Sequence, residues 1–237
     1  MVELLLQHGA NPNAFTIPSH ASPYFLTPLQ AAIITEIPTR YDIVKTLIKY
    51  GADVNLHKGK DILQGPPLII AIAQKDYDMV KLLLDSGADI NAFIITEDGC
   101  QIKPLGEAAY VGDIKIAELL IQYGARVNES SEQLSTPYHL AAYKGYLDFL
   151  KFLFEIYPAP NIIGCHRMTP LFSAVQSESE NFDVVKFLVE AGAYVNAIDD
   201  QGDSPLYYAL KQKKSRVISY LVEHGAKFIF NGEVVMF

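Results

Sequence analysis

The chain has 237 residues, half of them hydrophobic, with 27 acidic and 19 basic side chains and a formal net charge of −8. That apolar content suffices for a continuous core, and no run of 18 apolar residues exists, so no membrane span is expected. The acidic balance argues against nucleic acid, which selects a basic face, and two cysteines are too few for a disulfide framework.

The opening MVELLLQHGA has neither the basic lead nor the small-residue cleavage site of a secretory signal. With so few cysteines, a reducing, cytoplasmic setting is expected. Residues 1–13 read as a second helix without its first, so either the parent chain continues upstream or a self-contact covers the bare face. The phrase LLLQHGANPN returns as LIKYGADVN, LLDSGADIN, LIQYGARVN, LVEAGAYVN and LVEHGAKFI, placing glycines at Gly9, Gly51, Gly87, Gly124, Gly192 and Gly225. Tyr157 holds the glycine position of one further copy.

A second phrase, proline and an apolar residue followed by small residues, begins at Pro28, Pro67, Pro104, Pro137, Pro170 and Pro205. Proline to the next glycine position is 20 residues in four repeats, 23 in the first and 22 in the fifth. Glycine position to proline is 13 residues in the last three intervals, which gives a period of 33. Asn13, Asn55, Asn91, Asn128, Asn161 and Asn196 each lie four residues after the glycine position, and Ile229 breaks the rule in the final copy.

Each position has a physical reason. Thr136 is a good N-cap and Pro137 suits a first helical turn, an arrangement repeated at Thr27, Thr169 and Ser204 but not at Pro66 or Lys103. Ala141 and Ala142 are small where helices must approach closely. Val80, Leu83 and Leu84 have helical spacing on a second helix. Glycine then ends that helix in a left-handed conformation, and the asparagine bonds the backbone of the following turn.

The segments STPYHLAAYKGYLDFLKFLF (135–154) and TPLFSAV with FDVVKFLVEAGAYVN (169–175 and 182–196) resemble ankyrin repeats. The resemblance implies an all-α repeat solenoid, each unit a helix pair with a β-hairpin or finger loop, in a curved elongated stack. It implies a single domain over 1–237: a partial repeat at 1–13, repeats at 14–55, 56–91, 92–128, 129–161, 162–196 and 197–230, and a tail at 231–237. The histidine of the family's Thr-Pro-Leu-His phrase survives only as His139, with Gln30, Ile69, Gly106, Phe172 and Tyr207 at the equivalent positions.

The irregularities gather in the amino-terminal half. The first three fingers exceed the family spacing by six, three and four residues. They carry Phe15, Ile17, Tyr24 and Phe25, then Leu56 and Leu63, then Phe93, Ile94 and Ile95. Such loops are usually surface and often functional; these residues either meet a partner or pack on one another. Further insertions lie between helices at 36–40 and 177–181. Tyr157-Pro158-Ala159-Pro160 predicts a different end for the second helix of the fourth repeat. The apolar end KFIFNGEVVMF, with Phe228, Phe230, Val234, Val235 and Phe237, is expected to fold back on the last repeat or to meet a further segment.

Reactive chemistry has little support. His8 and His224 precede helix-ending glycines, where a cation suits the helix dipole, and His139 fills the family position. His20, His57 and His166 lie in fingers without a second ligand at metal spacing, so no metal or other cofactor is expected. Cys165-His166 alone hints at an activated thiol, which needs a base and an orienting group. Helix stacking places Cys100 and Cys165, two repeats apart, about 20 Å from each other, beyond disulfide reach. A stripe of acidic finger residues (Glu97, Asp98, Glu129, Glu132, Asp199, Asp200, Asp203) suits either solvation or steering of a basic partner. A basic cluster, Lys211, Lys213, Lys214 and Arg216, is too short for a nucleic-acid site. Asn55 and Asn91, each with leucine, acidic and aliphatic residues before it, resemble the spacing that asparaginyl hydroxylases accept in ankyrin proteins.

The resemblance implies a non-catalytic protein–protein interaction module, an adaptor or scaffold, binding on a concave face made of finger tips and first helices. The expected surface comprises Phe15, Tyr24, Phe25, Leu63, Phe93, Ile94, Tyr110, Val111, Glu129, Tyr143 and Lys144, with Tyr110 and Tyr143 as anchors. The partner is a protein or peptide segment, basic if the acidic stripe steers it, and neither nucleic acid, membrane nor a small-molecule substrate. The alternatives are an effector of an intracellular bacterium acting on host proteins and the targeting arm of a larger enzyme.

Overall fold

The computed structural model describes residues 1–17, 24–59 and 62–235. The chain forms two compact units, Met1–Glu107 with Lys115–Ala125, and Ala108–Ile114 with Arg126–Phe237.

The first unit opens with α1 (Val2–Gln7), α2 (Pro28–Ile34), α3 (Arg40–Lys49), α4 (Pro67–Ala73) and α5 (Tyr77–Asp85). The hairpin strands β1 (Ile94–Ile95) and β2 (Gln101–Ile102) follow, paired Ile94 with Ile102 and Ile95 with Gln101. Next come α6 (Pro104–Val111) and α7 (Ile114–Gln122), whose connecting stretch Ala108–Ile114 belongs to the second unit. The rest of the second unit holds α8 (Pro137–Lys144), α9 (Leu147–Ile156), a 3-10 turn at Cys165–Arg167, α10 (Pro170–Gln176), α11 (Phe182–Glu190), α12 (Pro205–Lys211) and α13 (Ser215–Glu223). It closes with a second hairpin, β3 (Ile229–Phe230) and β4 (Glu233–Val234).

All six prolines of the repeated phrase open a first helix. Thr27 forms a complete capping box, accepting from Gln30 N at 3.1 Å while Gln30 Oε1 accepts from Thr27 N at 2.8 Å. Ser204 accepts from Tyr207 N at 3.3 Å. Thr136 departs from its expected cap: its hydroxyl lies 2.7 Å from His139 Nδ1. Thr169 does not cap either, and its buried hydroxyl has no hydrogen-bond partner among the described residues.

The second helices end as expected, with φ between +80° and +98° at Gly9, Gly51, Gly87, Gly124, Gly192 and Gly225. Helix α9 ends without that device, because Tyr157 takes extended angles (φ −151°, ψ 102°) ahead of Pro158. The core lies between paired helices. In the first unit it includes Leu29, Ile33, Val44, Leu68, Val80 and Leu83, and in the second Phe149, Leu153, Phe172, Val185 and Leu188, all buried.

Turn asparagines join successive repeats. In the first unit Asn55 Nδ2 donates to Gly87 O at 3.1 Å, and Asn55 Oδ1 accepts from Asp89 N at 2.8 Å. Asn13 makes the same pair with Gly51 O and Asp53 N. In the second unit Asn161 holds Gly192 O (2.9 Å) and Tyr194 N (2.7 Å), and Asn196 holds Gly225 O (3.0 Å) and Lys227 N (2.7 Å).

The apolar carboxyl end does fold back. The Phe230 ring stacks on Tyr207 with centroids 5.2 Å apart, and Phe228 lies at 6.0 Å from the same ring. Gly232 N donates to Gly202 O at 2.8 Å, and Ile229 N to Ser204 Oγ at 3.1 Å. Val234 and Val235 stay exposed, and Phe237 lies outside the described residues.

Candidate functional site

In the first unit the fingers before α2 and α4 bind each other. Phe25 N donates to Gln64 Oε1 at 3.1 Å, and Gln30 Nε2 donates to Gly65 O at 2.8 Å. The Lys58 ammonium lies 4.2 Å from the Phe25 ring centre and 5.3 Å from that of Phe15. Mutual packing therefore orders these loops, yet Phe25 and Leu63 remain exposed, with Phe15 and Tyr24 half-buried. Phe93 is exposed as well. Ile94 is a correction: at 3% exposure it points inward from β1 and leaves the binding surface, because the two-residue alternation of a strand sends neighbours to opposite faces. Asn55 has its amide engaged at both ends, and Asn91 N donates to Asp89 Oδ1 at 2.8 Å.

In the second unit Tyr110 and Val111 close α6, and Tyr143 and Lys144 close α8. Tyr143 and Lys144 are exposed, Tyr110, Val111 and Glu129 half-buried. The Lys144 ammonium sits 4.4 Å from the Tyr110 ring centre, which joins the two helices through a cation–π contact. Farther along, the Lys211 ammonium lies 5.8 Å from the Tyr207 ring centre.

The acidic stripe of the later fingers is largely consumed by internal bonds. Asp199 is buried; its carboxylate accepts from Tyr208 Oη at 2.6 Å, Gln201 N at 3.0 Å and Asp203 N at 2.9 Å. Burial, with the bond to Asp199, raises the Tyr208 hydroxyl pKa above its usual range. Buried Asp203 accepts from Asn231 N at 3.0 Å. Asp200 lies 3.1 Å from His166 Nδ1, and Glu132 lies 3.9 Å from Arg167 Nε. Asp199 and Asp203 of the stripe are thus turned inward, while Glu97 and Glu132 stay exposed.

The basic cluster is also not what its sequence suggests. Lys214 is only 8% exposed, and its ammonium donates to Val175 O (2.7 Å), Ser177 O (2.5 Å) and Ser179 O (2.7 Å). Burial lowers its pKa. Asn181 Nδ2 donates to Ala142 O and Tyr143 O at the end of α8. The insertion at 177–181 is thus clamped. The other insertion leads to Arg40, paired with Asp76, which also accepts from the Tyr41 hydroxyl and caps α5 through Met79 N.

Sequence reasoning missed Glu107, a buried carboxyl on α6 with one oxygen unpartnered among the described residues; burial pushes it up to about 7. His139 is structural, as expected. Burial lowers its pKa to about 4, and its Nε2 meets Met168 O at 2.9 Å. Gln30 reproduces this arrangement in the first repeat, bonding its own cap and the next finger, so the loss of histidine there leaves the hydrogen bonding intact. His8 and His224 bond the carbonyls of Leu4 and Tyr220 through Nδ1, both at 2.8 Å. His57 meets Gly59 O, and His20 lies outside the described residues.

Neither cysteine is a free thiol: Cys100 and Cys165 are both disulfide sulfurs, which corrects the expectation of two unbonded thiols. Helix spacing does not govern them, since Cys100 lies on a finger beside β2 and Cys165 on the 3-10 turn.

The ankyrin repeat model, three copies of the repeat, matches residues 1–94, 68–162 and 158–231. The chain belongs to the ankyrin repeat family. Its fold is accordingly an all-α ankyrin solenoid. Similar proteins include the Drosophila melanogaster transient receptor potential cation channel subfamily A member 1, 37% identical over 128 residues, covering 52% of this chain and 10% of that protein. Alpha-latroinsectotoxin-Lt1a of Latrodectus tredecimguttatus is 26% identical over 202 residues, covering 82% of this chain and 11% of the toxin. The chain thus spans about a tenth of the length of these curated relatives. Among solved structures, the human ASB11 ankyrin repeat domain is similar, with a TM-score of 0.66 and 28% identity over 85% of each chain.

Proposed function

We propose that the chain is a non-catalytic module that binds a protein segment on its finger tips and the ends of its first helices, as an adaptor or scaffold. The observation that carries this reading is the exposed Tyr143 and Lys144 pair beside Tyr110, with the lysine held over the tyrosine ring. Tyrosine loses few rotamers on binding and buries a large area, which suits it to anchor a partner. In the first unit Phe15, Tyr24, Phe25, Leu63 and Phe93 form the corresponding surface. The partner is a protein, not nucleic acid, a membrane or a small-molecule substrate. Asn55 and Asn91 are carried as candidate hydroxylation sites, to be read by mass spectrometry of protein from its native cell.

The test pans a peptide library against the intact chain. Recovered peptides should lose about tenfold or more in affinity on Tyr110→Ala with Tyr143→Ala. Unchanged affinity would remove the tyrosines from the site.

The second reading is a targeting arm of a longer protein, supported by the tenth of each relative's length that the chain spans. A bacterial effector acting on host proteins is one form that such a protein takes. Cytoplasmic location belongs to the main reading and predicts reduced thiols, whereas the structure has both cysteines oxidised. Alkylation at the moment of cell lysis, followed by mass spectrometry, reads whether the two thiols are reduced in the cell.

A further inference from the structure

The acidic chain hides a cationic strip. In the second unit the last residues of successive first helices, and those just after them, are Tyr110 and Val111, Tyr143 and Lys144, Gln176 and Ser177, then Lys211 and Gln212. None is acidic. Lys144 and Lys211 are exposed, and neither has a carboxylate partner among the described residues. Each ammonium is instead held over a tyrosine ring, Tyr110 or Tyr207. A ring face attracts the cation without neutralising it, so both lysines keep their full charge for an incoming anion. The exposed carboxylates Glu178 and Glu180 of the 177–181 insertion line one hollow with Lys213, Lys214 and Arg216, so cations outnumber them there. Asp199 and Asp203 are buried and hydrogen-bonded, and Asp200 and Glu132 face His166 and Arg167.

We propose that this strip receives an acidic peptide segment of a partner protein, its carboxylates meeting Lys144 and Lys211 and its apolar side chains meeting Tyr110 and Tyr143. The inference rests on the binding-module reading and deepens it by fixing the sign of the partner. Helices stacked 8–10 Å apart set the two lysines roughly 20 Å apart, two repeats along the strip, a span of about six extended residues. The segment therefore carries two acidic groups separated by about that length, with an aromatic or aliphatic residue beyond the one that meets Lys144, toward Tyr110. Such complementarity sets partner choice and association rate.

The experiment uses the full chain and three pools of synthetic twelve-residue peptides, rich in Asp and Glu, neutral, or rich in Lys and Arg, each with the same aromatic content. Fluorescence anisotropy should find the tightest binding in the acidic pool. That binding should weaken about tenfold or more on Lys144→Glu with Lys211→Glu, and less on the two glutamine substitutions. It should weaken as salt rises from about 0.05 M to about 0.5 M. Lys186→Glu, on the second helix α11, should change nothing. Thermal melts matching the parent chain show that the reversals fold. Preference for the neutral or basic pool overturns the inference and leaves the module reading standing. Binding from no pool overturns both.

Discussion

The Lys214 ammonium nitrogen lies 2.7 Å from the carbonyl oxygen of Val175, in the last turn of α10. The same group holds Ser177 O and Ser179 O, so one side chain satisfies three carbonyls that leave a helix end. Lys214→Met keeps the stem and removes all three bonds. We expect a loss of about 2–3 kcal/mol in urea unfolding. Cleavage beside Glu178 and Glu180 by a glutamate-specific protease should accelerate.

Glu107 and His139 give opposite pH dependence. The Glu107 carboxyl, near 4.5 when exposed, is raised to about 7 by burial, so the folded chain holds its proton longer than the unfolded chain. That contribution is complete below about 4.5 and is lost as pH rises through about 7. His139 is depressed from 6.5 to about 4, so its contribution is present above about 6.5 and is lost as pH falls through about 4. Each shift amounts to about 3 kcal/mol at most. Glu107→Gln should flatten the loss on raising pH. His139→Gln, which copies Gln30, should flatten the loss on lowering it. Unfolding free energy from pH 4 to 8 reads both.

Asn161 is bonded at both ends of its amide, to Gly192 O and Tyr194 N. Both partners are exposed and water replaces part of what is lost, so Asn161→Ala should cost about 1–2 kcal/mol. Asn161→Asp keeps the acceptor and loses the donor, and should cost less. Equal costs for the two would assign the stabilisation to the Gly192 bond alone, the one that both variants lose.

Gly202 allows the terminal hairpin to dock. A Cβ there would lie 2.5 Å from Gly232 N, and its φ of +81° disfavours any side chain. Gly202→Ala should raise amide exchange at Gly232 and Ile229 about tenfold or more. Gly225→Ala carries the same backbone strain with nothing within 4 Å, and should leave that protection unchanged.

The helices were legible because the constraint on them is local. Proline at each start and glycine at each end act on their own backbone, so Pro67 and Gly87 mark α4 and the end of α5 without any tertiary knowledge. Tyr157 was legible for the same reason. The fate of charged side chains was not. Lys214, Asp199 and Asp203 look like solvated loop residues, yet each is buried on backbone donors or acceptors whose positions depend on distant segments. Ile94 shares an apolar run with Phe93 and Ile95, and only the register of β1 on β2 reveals that it points inward. Glu107 stands among small and apolar residues, and nothing in the spacing signals that its carboxyl stays out of water.

The turn asparagines also govern how the second unit yields to force. Asn196 clasps the turn at Gly225 and Asn161 the turn at Gly192, and each clasp closes on one neighbour alone. Opening one leaves the rest shut. A tether drawn from the carboxyl end should therefore lengthen in steps, each releasing one 33-residue period, or roughly 11 nm of extended chain.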